Sequence, residues 1–225
     1  MTQRLIIFDV DGTLVDSQTF ILAAMEQAFR GAGMPLPSRA DALGIVGLSL
    51  PEAMQVLVPD AAQSLHSELV DRYKAAFLDL RQKQGGEAKA PLYPGALDAV
   101  GRFHRSGYLL GIATGKARRG LQHFLLGHGL SDVFTVTQTA DDAPSKPHPQ
   151  MILTCLAQAG VSASDAVIIG DTEFDMAMGR AAGVRRIGVD WGYHPRARIM
   201  AGGAEMIAER FDDLDALVAG LWERT

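Results

Sequence analysis

Short apolar runs alternate with segments of helical periodicity along most of this 225-residue chain. Runs of consecutive, mostly β-branched or aromatic residues that are too short for a helix predict fully buried strands. Such runs occupy 5–8, 108–113, 133–136, 166–169 and 186–189, and helical patterns occupy 93–104, 117–127, 149–159, 173–182 and 212–222. This alternation predicts an α/β fold, a Rossmann-like parallel sheet with helices on both faces.

The segment that follows the first strand has a different pattern. Apolar residues of 16–34 fall near one helical face, and further helices are predicted near 38–44, 50–57 and 61–84, with no strand-like run. The polar, glycine-containing stretch 82–90 is typical of a linker. We therefore predict a small inserted all-helical cap domain, 16–87, over a core domain formed by 1–15 and 88–225. The alternative is a helical layer that packs permanently on the core.

Composition places the chain among globular proteins with a sizeable core, because 48% of its residues are hydrophobic and 21% are charged. The net charge of −5 argues against a nucleic-acid partner, which usually needs a basic face. Cys155 lies in an apolar helical pattern and is predicted to be a core residue. No apolar run reaches the length of a signal peptide or a membrane span, so we expect a cytoplasmic protein without a membrane partner.

Polar residues follow three of the predicted strands. Asp9 and Asp11 follow the first strand, Thr114 the second and Asp171 the fourth. In open α/β sheets, ligands bind at the carboxyl ends of the strands, so we expect one site at this edge. Residues two apart in extended chain point to the same side, and two carboxylates so close repel unless a cation lies between them or one holds a proton. Gly12 permits the sharp turn that follows.

Two further segments carry candidate chemistry. The sequence Thr114-Gly115-Lys116 combines a hydroxyl, an accessible backbone N–H and a cation, a set that suits an anionic oxygen. Lys116 is a candidate substrate contact, or else a solvated turn residue. Lys146 lies in a stretch with prolines at 147 and 149, which fix the local backbone and place its ammonium rigidly. His148 between these prolines is interpreted as peripheral.

The motifs resemble those of the haloacid dehalogenase-like phosphohydrolases. Residues 9–17 resemble the first motif, DxDGT-L-x-D-S; Thr114 falls in the second, KPHP at 146–149 resembles the third, and 170–175 resembles the fourth, GDxxxD. The resemblance covers essentially the whole chain. It implies that Asp9 is a nucleophile that forms an aspartyl-phosphate, that Asp11 is the general acid/base, that the Thr114 hydroxyl holds a phosphate oxygen and that Lys146 is the motif lysine. It also implies an inserted helical cap.

A metal site is predicted from the fourth motif together with the first. Asp171 and Asp175 lie four apart across a helix start, and with Asp9 they form an all-oxygen, anionic set of the kind Mg²⁺ prefers. We infer Mg²⁺ held by the Asp9 carboxylate, the Asp11 backbone carbonyl and Asp171. Asp175 is expected to act through water or a hydrogen bond to Lys146, whereas Glu173 at this helix start is expected to point to solvent.

The resulting hypothesis is Mg²⁺-dependent hydrolysis of a small phosphate monoester, because an acid at Asp11 suits phosphate rather than halide release. The context around Asp11 and the segment 192–194 look most like the phosphoglycolate phosphatase-like branch, whose substrate is a small phosphorylated metabolite. Cap candidates for the leaving group are Gly47, Leu48, Ser49 and Arg72, and the substrate-binding set on the core is Thr114, Gly115 and Lys116. Two alternatives stay open: a sugar phosphomutase of the same fold, and a non-catalytic binding module.

Overall fold

The computed structural model describes residues 3–83 and 91–223, and six strands within these ranges form one sheet. All pairings between neighbouring strands are parallel. The strands are β1 (Leu5–Phe8), β2 (Leu109–Ala113), β3 (Val136–Gln138), β4 (Ala166–Gly170), β5 (Arg185–Val189) and β6 (Met206–Ala208). Their order across the sheet is β3-β2-β1-β4-β5-β6, which places β1 between β2 and β4.

The described residues also form ten α-helices. These are α1 (Gln18–Gly31), α2 (Arg39–Gly44), α3 (Leu50–Leu57), α4 (Gln63–Lys83), α5 (Ala96–Arg105), α6 (Arg118–Gly127), α7 (Gln150–Ala159), α8 (Glu173–Ala182), α9 (Arg196–Gly202) and α10 (Leu214–Glu223). Helices cover both faces of the sheet, so the predicted α/β class is confirmed.

Strand β1 supplies side chains to the hydrophobic clusters on both faces of the sheet. Successive residues of a strand point to opposite faces. Phe8 therefore packs in the cluster that contains Phe103 of α5, whereas Ile7 packs in the cluster that contains Met151 of α7. Burial on both faces explains why the sequence of β1 is continuously apolar rather than alternating.

Cys155 belongs to the second of these clusters, as predicted. Its side chain is fully buried, and its thiol lies 3.6 Å from the carbonyl oxygen of Ile112. Burial raises the pKa of the Cys155 thiol to about 12. The residue therefore packs as a small apolar side chain and does not act as a nucleophile.

Helices α1 to α4 form a helical block with a hydrophobic cluster of its own. Met25 and Phe29 of α1, Met54 of α3 and Leu69 of α4 are buried together in it. The block follows β1 directly, where the sequence predicts an inserted helical unit. We propose that this block is a cap domain with the boundaries 16–87. The predicted linker 82–90 falls largely on residues 84–90, which lie outside the described residues.

In the carboxyl-terminal half of the chain, three elements of the structure differ from the predicted ones. Strand β3 occupies Val136–Gln138 rather than 133–136, because 131–133 form a turn from which Phe134 reaches the core. Helix α9 and strand β6 were not predicted. Strand β6 has only three residues, and α9 is a seven-residue helix that ends at Gly202 and is followed by Gly203, so neither carries a periodic pattern long enough to detect.

No helix within 3–83 or 91–223 is long and apolar enough to cross a membrane. The cytoplasmic location expected from the sequence stays a prediction.

Helix α6 provides a matched test of the core. Phe124 is 2% exposed and Leu126 is 73% exposed on the same helix. We expect Phe124→Ala to lower the free energy of unfolding by about 3–5 kcal/mol, because it removes a buried ring and leaves a cavity. Leu126→Ala should change it by less than about 0.5 kcal/mol. Urea unfolding followed by circular dichroism measures both, and equal effects of the two substitutions would contradict the packing.

Candidate active site

Polar side chains from three strands meet at the carboxyl edge of the sheet. Asp9 follows β1, Thr114 follows β2 and Asp171 follows β4. The strand order reverses between β1 and β4, and in open α/β sheets ligands bind in the crevice that such a reversal leaves. All three side chains are buried. The structure therefore brings together the three residues that the sequence places at these strand ends.

Two glycines enclose the carboxylate of Asp171. At Gly12, where φ is +89°, a Cβ atom would lie 2.2 Å from Asp171 Oδ2. At Gly192 a Cβ atom would lie 2.1 Å from the Cβ of Asp171. Because any side chain at either position would collide with this carboxylate, glycine is what lets both loops approach it so closely.

Lys146 joins two buried carboxylates. Its Nζ donates to Asp9 Oδ1 at 2.7 Å and to Asp175 Oδ1 at 2.6 Å, and all three side chains are at most 2% exposed. Burial opposes the charge on Lys146, but Asp175 and Asp9 overcome this effect and raise its pKa above the usual value. Lys146 is therefore a permanent cation in the centre of the site.

Asp175 also holds the start of helix α8. Its Oδ2 accepts hydrogen bonds from the backbone N–H and the hydroxyl of Thr172, and Thr172 Oγ1 accepts from the backbone N–H of Asp175 in return. This reciprocal pair is a capping box, which satisfies helix donors that otherwise lack partners. Asp175 thus contacts Lys146 through one oxygen and the helix end through the other, in line with its predicted hydrogen bond to Lys146.

Asp171 is held by two donors. Thr13 donates from its hydroxyl to Oδ1, and the backbone N–H of Tyr193 donates to Oδ2, both at 2.9 Å. Burial, with Asp9 and Asp175 nearby, raises the pKa of Asp171 well above its usual value. Burial also raises the pKa of Asp9 to about 7, against the opposing effect of Lys146. The site therefore holds more buried carboxyl groups than Lys146 alone can keep ionised.

This group of acids fits a divalent cation. Asp9, Asp171 and Asp175 each offer an oxygen within 4.8 Å of the others. Asp9 Oδ2 is buried and has no hydrogen-bond partner among residues 3–83 and 91–223. A cation beside these oxygens would favour their ionised forms and would satisfy Asp9 Oδ2. Hard cations such as Mg²⁺ and Ca²⁺ prefer an all-oxygen set.

Asp11 lies at the edge of the same site and is partly exposed. Its Oδ1 accepts from the Ser17 hydroxyl at 2.6 Å and lies 3.0 Å from Lys116 Nζ. The Tyr193 hydroxyl in turn accepts from the backbone N–H of Ser17 at 2.9 Å and lies 3.1 Å from its hydroxyl. Ser17 and Tyr193 therefore fix the position of the Asp11 carboxyl group.

A cavity of about 580 Å³ lies between this edge and the helical block. Its lining combines residues of both parts, among them Asp9, Asp11, Thr114, Gly115, Lys116, Gly47, Leu48 and Ser49. The block contacts the core beside it: the Ser49 N–H donates to Ser145 Oγ at 2.7 Å. A Cβ at Gly115 would lie only 2.7 Å from the carbonyl oxygens of Gly47 and Leu48. Gly115 therefore permits the approach of the two loops.

Several predicted residues lie elsewhere. Arg72 does not line this cavity and pairs with Glu68 on the surface of α4. His148 is exposed, as expected of a peripheral residue. Glu173 does not simply point to solvent, because it forms an ion pair with Arg198. That expectation was wrong because helix α9, which carries the arginine, was not predicted.

The sequence did not indicate the contacts that Ser17, Tyr193 and His194 form near the site. His194 is buried; its Nδ1 accepts from the backbone N–H of Glu173 at 3.2 Å, and its Nε2 lies 3.1 Å from the carbonyl oxygen of Gly44 in the helical block. The available signals were the serine of the first motif and the Gly192–His194 segment. Neither signal identifies a partner, because the contacts join residues far apart in sequence.

Comparison with known proteins identifies the family. Residues 6–189 match the family model described as haloacid dehalogenase-like hydrolase, and the chain belongs to this family. A protein of Dickeya dadantii named "Probable phosphatase IndB" is 32% identical over 93% of this chain and 91% of its own length. A phosphoglycolate phosphatase of Vibrio parahaemolyticus is 28% identical over 97% of this chain and 99% of its own length.

Solved structures agree as well. A haloacid dehalogenase-like family hydrolase of Streptococcus pneumoniae has a TM-score of 0.81 and 27% identity, and the alignment covers 96% of this chain and 98% of that chain. The predicted family is therefore confirmed by sequence and by structure. The relatives named phosphoglycolate phosphatase support the predicted branch.

Proposed function

We propose that this chain is a Mg²⁺-dependent phosphatase that hydrolyses a small phosphate monoester through an aspartyl-phosphate on Asp9. The observation that carries the proposal is the set of hydrogen-bond partners of the two Asp9 carboxylate oxygens. One of its oxygens is held by Lys146, and the other is buried without a hydrogen-bond partner in the described part of the chain. Relatives named phosphoglycolate phosphatase and pyrophosphatase support phosphate chemistry.

In the first step, Asp9 attacks phosphorus and displaces the alcohol. A carboxylate must be ionised to attack. Lys146 at 2.7 Å favours that form, and a bound cation would favour it further against the burial of the group. Asp175 holds Lys146 from the other side and so restricts where its ammonium can lie. Splitting hydrolysis into formation and cleavage of a covalent intermediate replaces one difficult step with two easier ones.

Asp11 is the proposed general acid and base. It protonates the leaving alcohol oxygen and then deprotonates the water that cleaves the aspartyl-phosphate. Its partly exposed carboxyl group lies beside the cavity, where it can reach both the substrate and water. The Ser17 hydroxyl orients it at 2.6 Å. A positioned acid or base of this kind contributes about 10²- to 10⁴-fold to the rate.

The phosphoryl oxygens are proposed to lie against the loop after β2. Thr114 and Gly115 line the cavity beside Asp9, so a hydroxyl and a backbone N–H are available as donors. Lys116 adds positive charge 3.0 Å from Asp11. Donors fixed before the reaction stabilise charge that develops in the transition state without reorganisation at that moment.

Mg²⁺ would be held by the carboxylates of Asp9 and Asp171 and the backbone carbonyl of Asp11, with Asp175 acting through Lys146. When bound, it supplies positive charge for the phosphoryl oxygens and for the acidic cluster. Thr13 and the backbone N–H of Tyr193 orient Asp171 for this role. Gly47 and Ser49 of the proposed cap would complete the enclosure above the phosphate and exclude water.

Substitution of the two catalytic carboxylates should affect turnover differently. We expect Asp9→Asn to abolish phosphate release, because the amide cannot form the intermediate. Asp11→Asn should slow turnover by about 10²- to 10⁴-fold, because only acid–base assistance is lost. The measurement is phosphate release from a panel of monoesters, with the exposed Asp132→Asn as the matched control. Turnover near the control rate in Asp9→Asn would refute the nucleophile assignment.

Metal binding should be visible without catalysis. At a hundredfold excess over its Kd, Mg²⁺ should stabilise the native state by about 2.7 kcal/mol, which corresponds to a rise in Tm of roughly 5–10 °C. We expect Asp171→Asn to lose most of this rise, because the variant has one fewer anionic ligand, and Asp132→Asn to retain it. Thermal unfolding at increasing Mg²⁺ measures both. An equal rise in Tm for Asp171→Asn would argue against the proposed ligand set.

A further inference from the structure

The cavity beside Asp9 has two chemically different ends. The core end carries the reacting carboxylates and the loop after β2. The opposite end is formed by the helical block, and its lining is mainly apolar: Ile21, Met25, Ile45, Leu48, Leu50 and Tyr73. A two-carbon acid such as glycolate offers little apolar surface for such a wall to cover.

These apolar side chains differ in how far the protein itself buries them. Met25 and Ile45 are 2% and 7% exposed and form part of the hydrophobic cluster of the block. Leu48, Leu50 and Tyr73 pack against the same cluster but keep part of their surface towards the cavity they line. Apolar surface left open in a concave site gains free energy when an apolar ligand covers it.

The cavity is not large because the helical block stands apart from the core. Ser49 is hydrogen-bonded to Ser145 at 2.7 Å, and the carbonyl oxygens of Gly47 and Leu48 lie against Gly115. With these contacts formed, the volume is still about 580 Å³. Sites of about 300–1,000 Å³ enclose molecules of drug size, which are far larger than glycolate.

The positive charges of the lining lie beside the reacting carboxylates or at the exposed edge of the cavity. Lys116 is 3.0 Å from Asp11, and both Lys116 and Arg81 also line a smaller recess that contains Ser17. Arg81 belongs to α4 of the helical block, but this shared recess places it next to Lys116. The charged residues Glu52, Lys74 and Arg119 of the lining are exposed.

We propose that the alcohol part of the substrate is an apolar group of ring size or larger, such as a medium-chain alkyl or arylalkyl group, which occupies the helical-block end of the cavity. This inference rests on the proposed phosphatase function. The phosphate lies at Asp9, and the apolar group extends to Leu48, Leu50 and Tyr73. Phosphoglycolate is then a poor substrate, because its carboxylate would face this apolar wall.

The first test uses the full-length protein and simple esters. The substrates are ethyl, butyl, hexyl and 2-phenylethyl phosphate, whose alcohols are similar leaving groups, together with phosphoglycolate. A methylene group in an apolar pocket changes kcat/KM by at most about 10- to 200-fold. We expect kcat/KM to rise at least about tenfold from ethyl to hexyl and 2-phenylethyl phosphate, and to be lowest for phosphoglycolate.

A flat profile, or preference for phosphoglycolate, would overturn the inference and leave the phosphatase function standing. If no ester is hydrolysed, the phosphatase function itself fails, and the inference with it.

A matched pair of variants locates the apolar site. Leu50 lines the cavity, whereas Val56 on the same helix is 59% exposed. We expect Leu50→Asn to lower the ratio of kcat/KM for 2-phenylethyl over ethyl phosphate by about tenfold, because a polar amide replaces an apolar contact. Val56→Asn should leave the ratio unchanged. Leu48 also lines the cavity but lies outside the helix, so Leu48→Asn repeats the test if Leu50→Asn disturbs α3. An unchanged ratio in both cavity variants would overturn the assignment of this wall to the substrate.

Discussion

The interaction on which the site depends is the double contact of Lys146 with Asp9 and Asp175. Burying a charge costs free energy unless an opposite charge and hydrogen bonds compensate, and here each partner is almost completely buried. The contact joins the end of β1, the segment before α7 and the start of α8. Removing any one of the three groups would leave another buried charge uncompensated. The excess of carboxylates over Lys146 is then the physical reason to expect a divalent cation.

A second constraint is the close approach of the helical block to the core. Gly115 allows the carbonyl oxygens of Gly47 and Leu48 to come near the loop after β2. Beside them, the backbone N–H of Ser49 donates a hydrogen bond to Ser145 Oγ. On another side of the block, His194 reaches the carbonyl oxygen of Gly44 from the loop after β5. The block therefore contacts the core through backbone groups near the site, while several of its apolar side chains line the cavity. This division underlies our proposal that the core carries the chemistry and that the block contacts the leaving group.

The central parts of the fold and site could be predicted because their signals are local. An apolar run followed by Asp9 or Asp171 is visible in a few residues, and the parallel topology then brings such strand ends together. The contact between Ser17 and Tyr193 spans 176 residues and leaves no periodic trace in either segment. The pairing of Glu173 with Arg198 was missed for a similar reason, since helix α9 is short. The sequence placed β3 at 133–136 rather than at 136–138. The reason is that Phe134, directly after the turn at 131–133, packs in the core, and its apolar side chain gives this segment a strand-like pattern.

The most direct test of this account is to identify the residue that carries phosphate during turnover. The protein would be mixed with a radiolabelled phosphate monoester and Mg²⁺, quenched in acid within one turnover, and digested for mass spectrometry. The account predicts an acid-stable, hydroxylamine-sensitive label on the peptide that contains Asp9. The Asp9→Asn variant should carry no label under the same conditions. Rapid phosphate release with no labelled peptide, or with the label on another residue, would contradict the central claim.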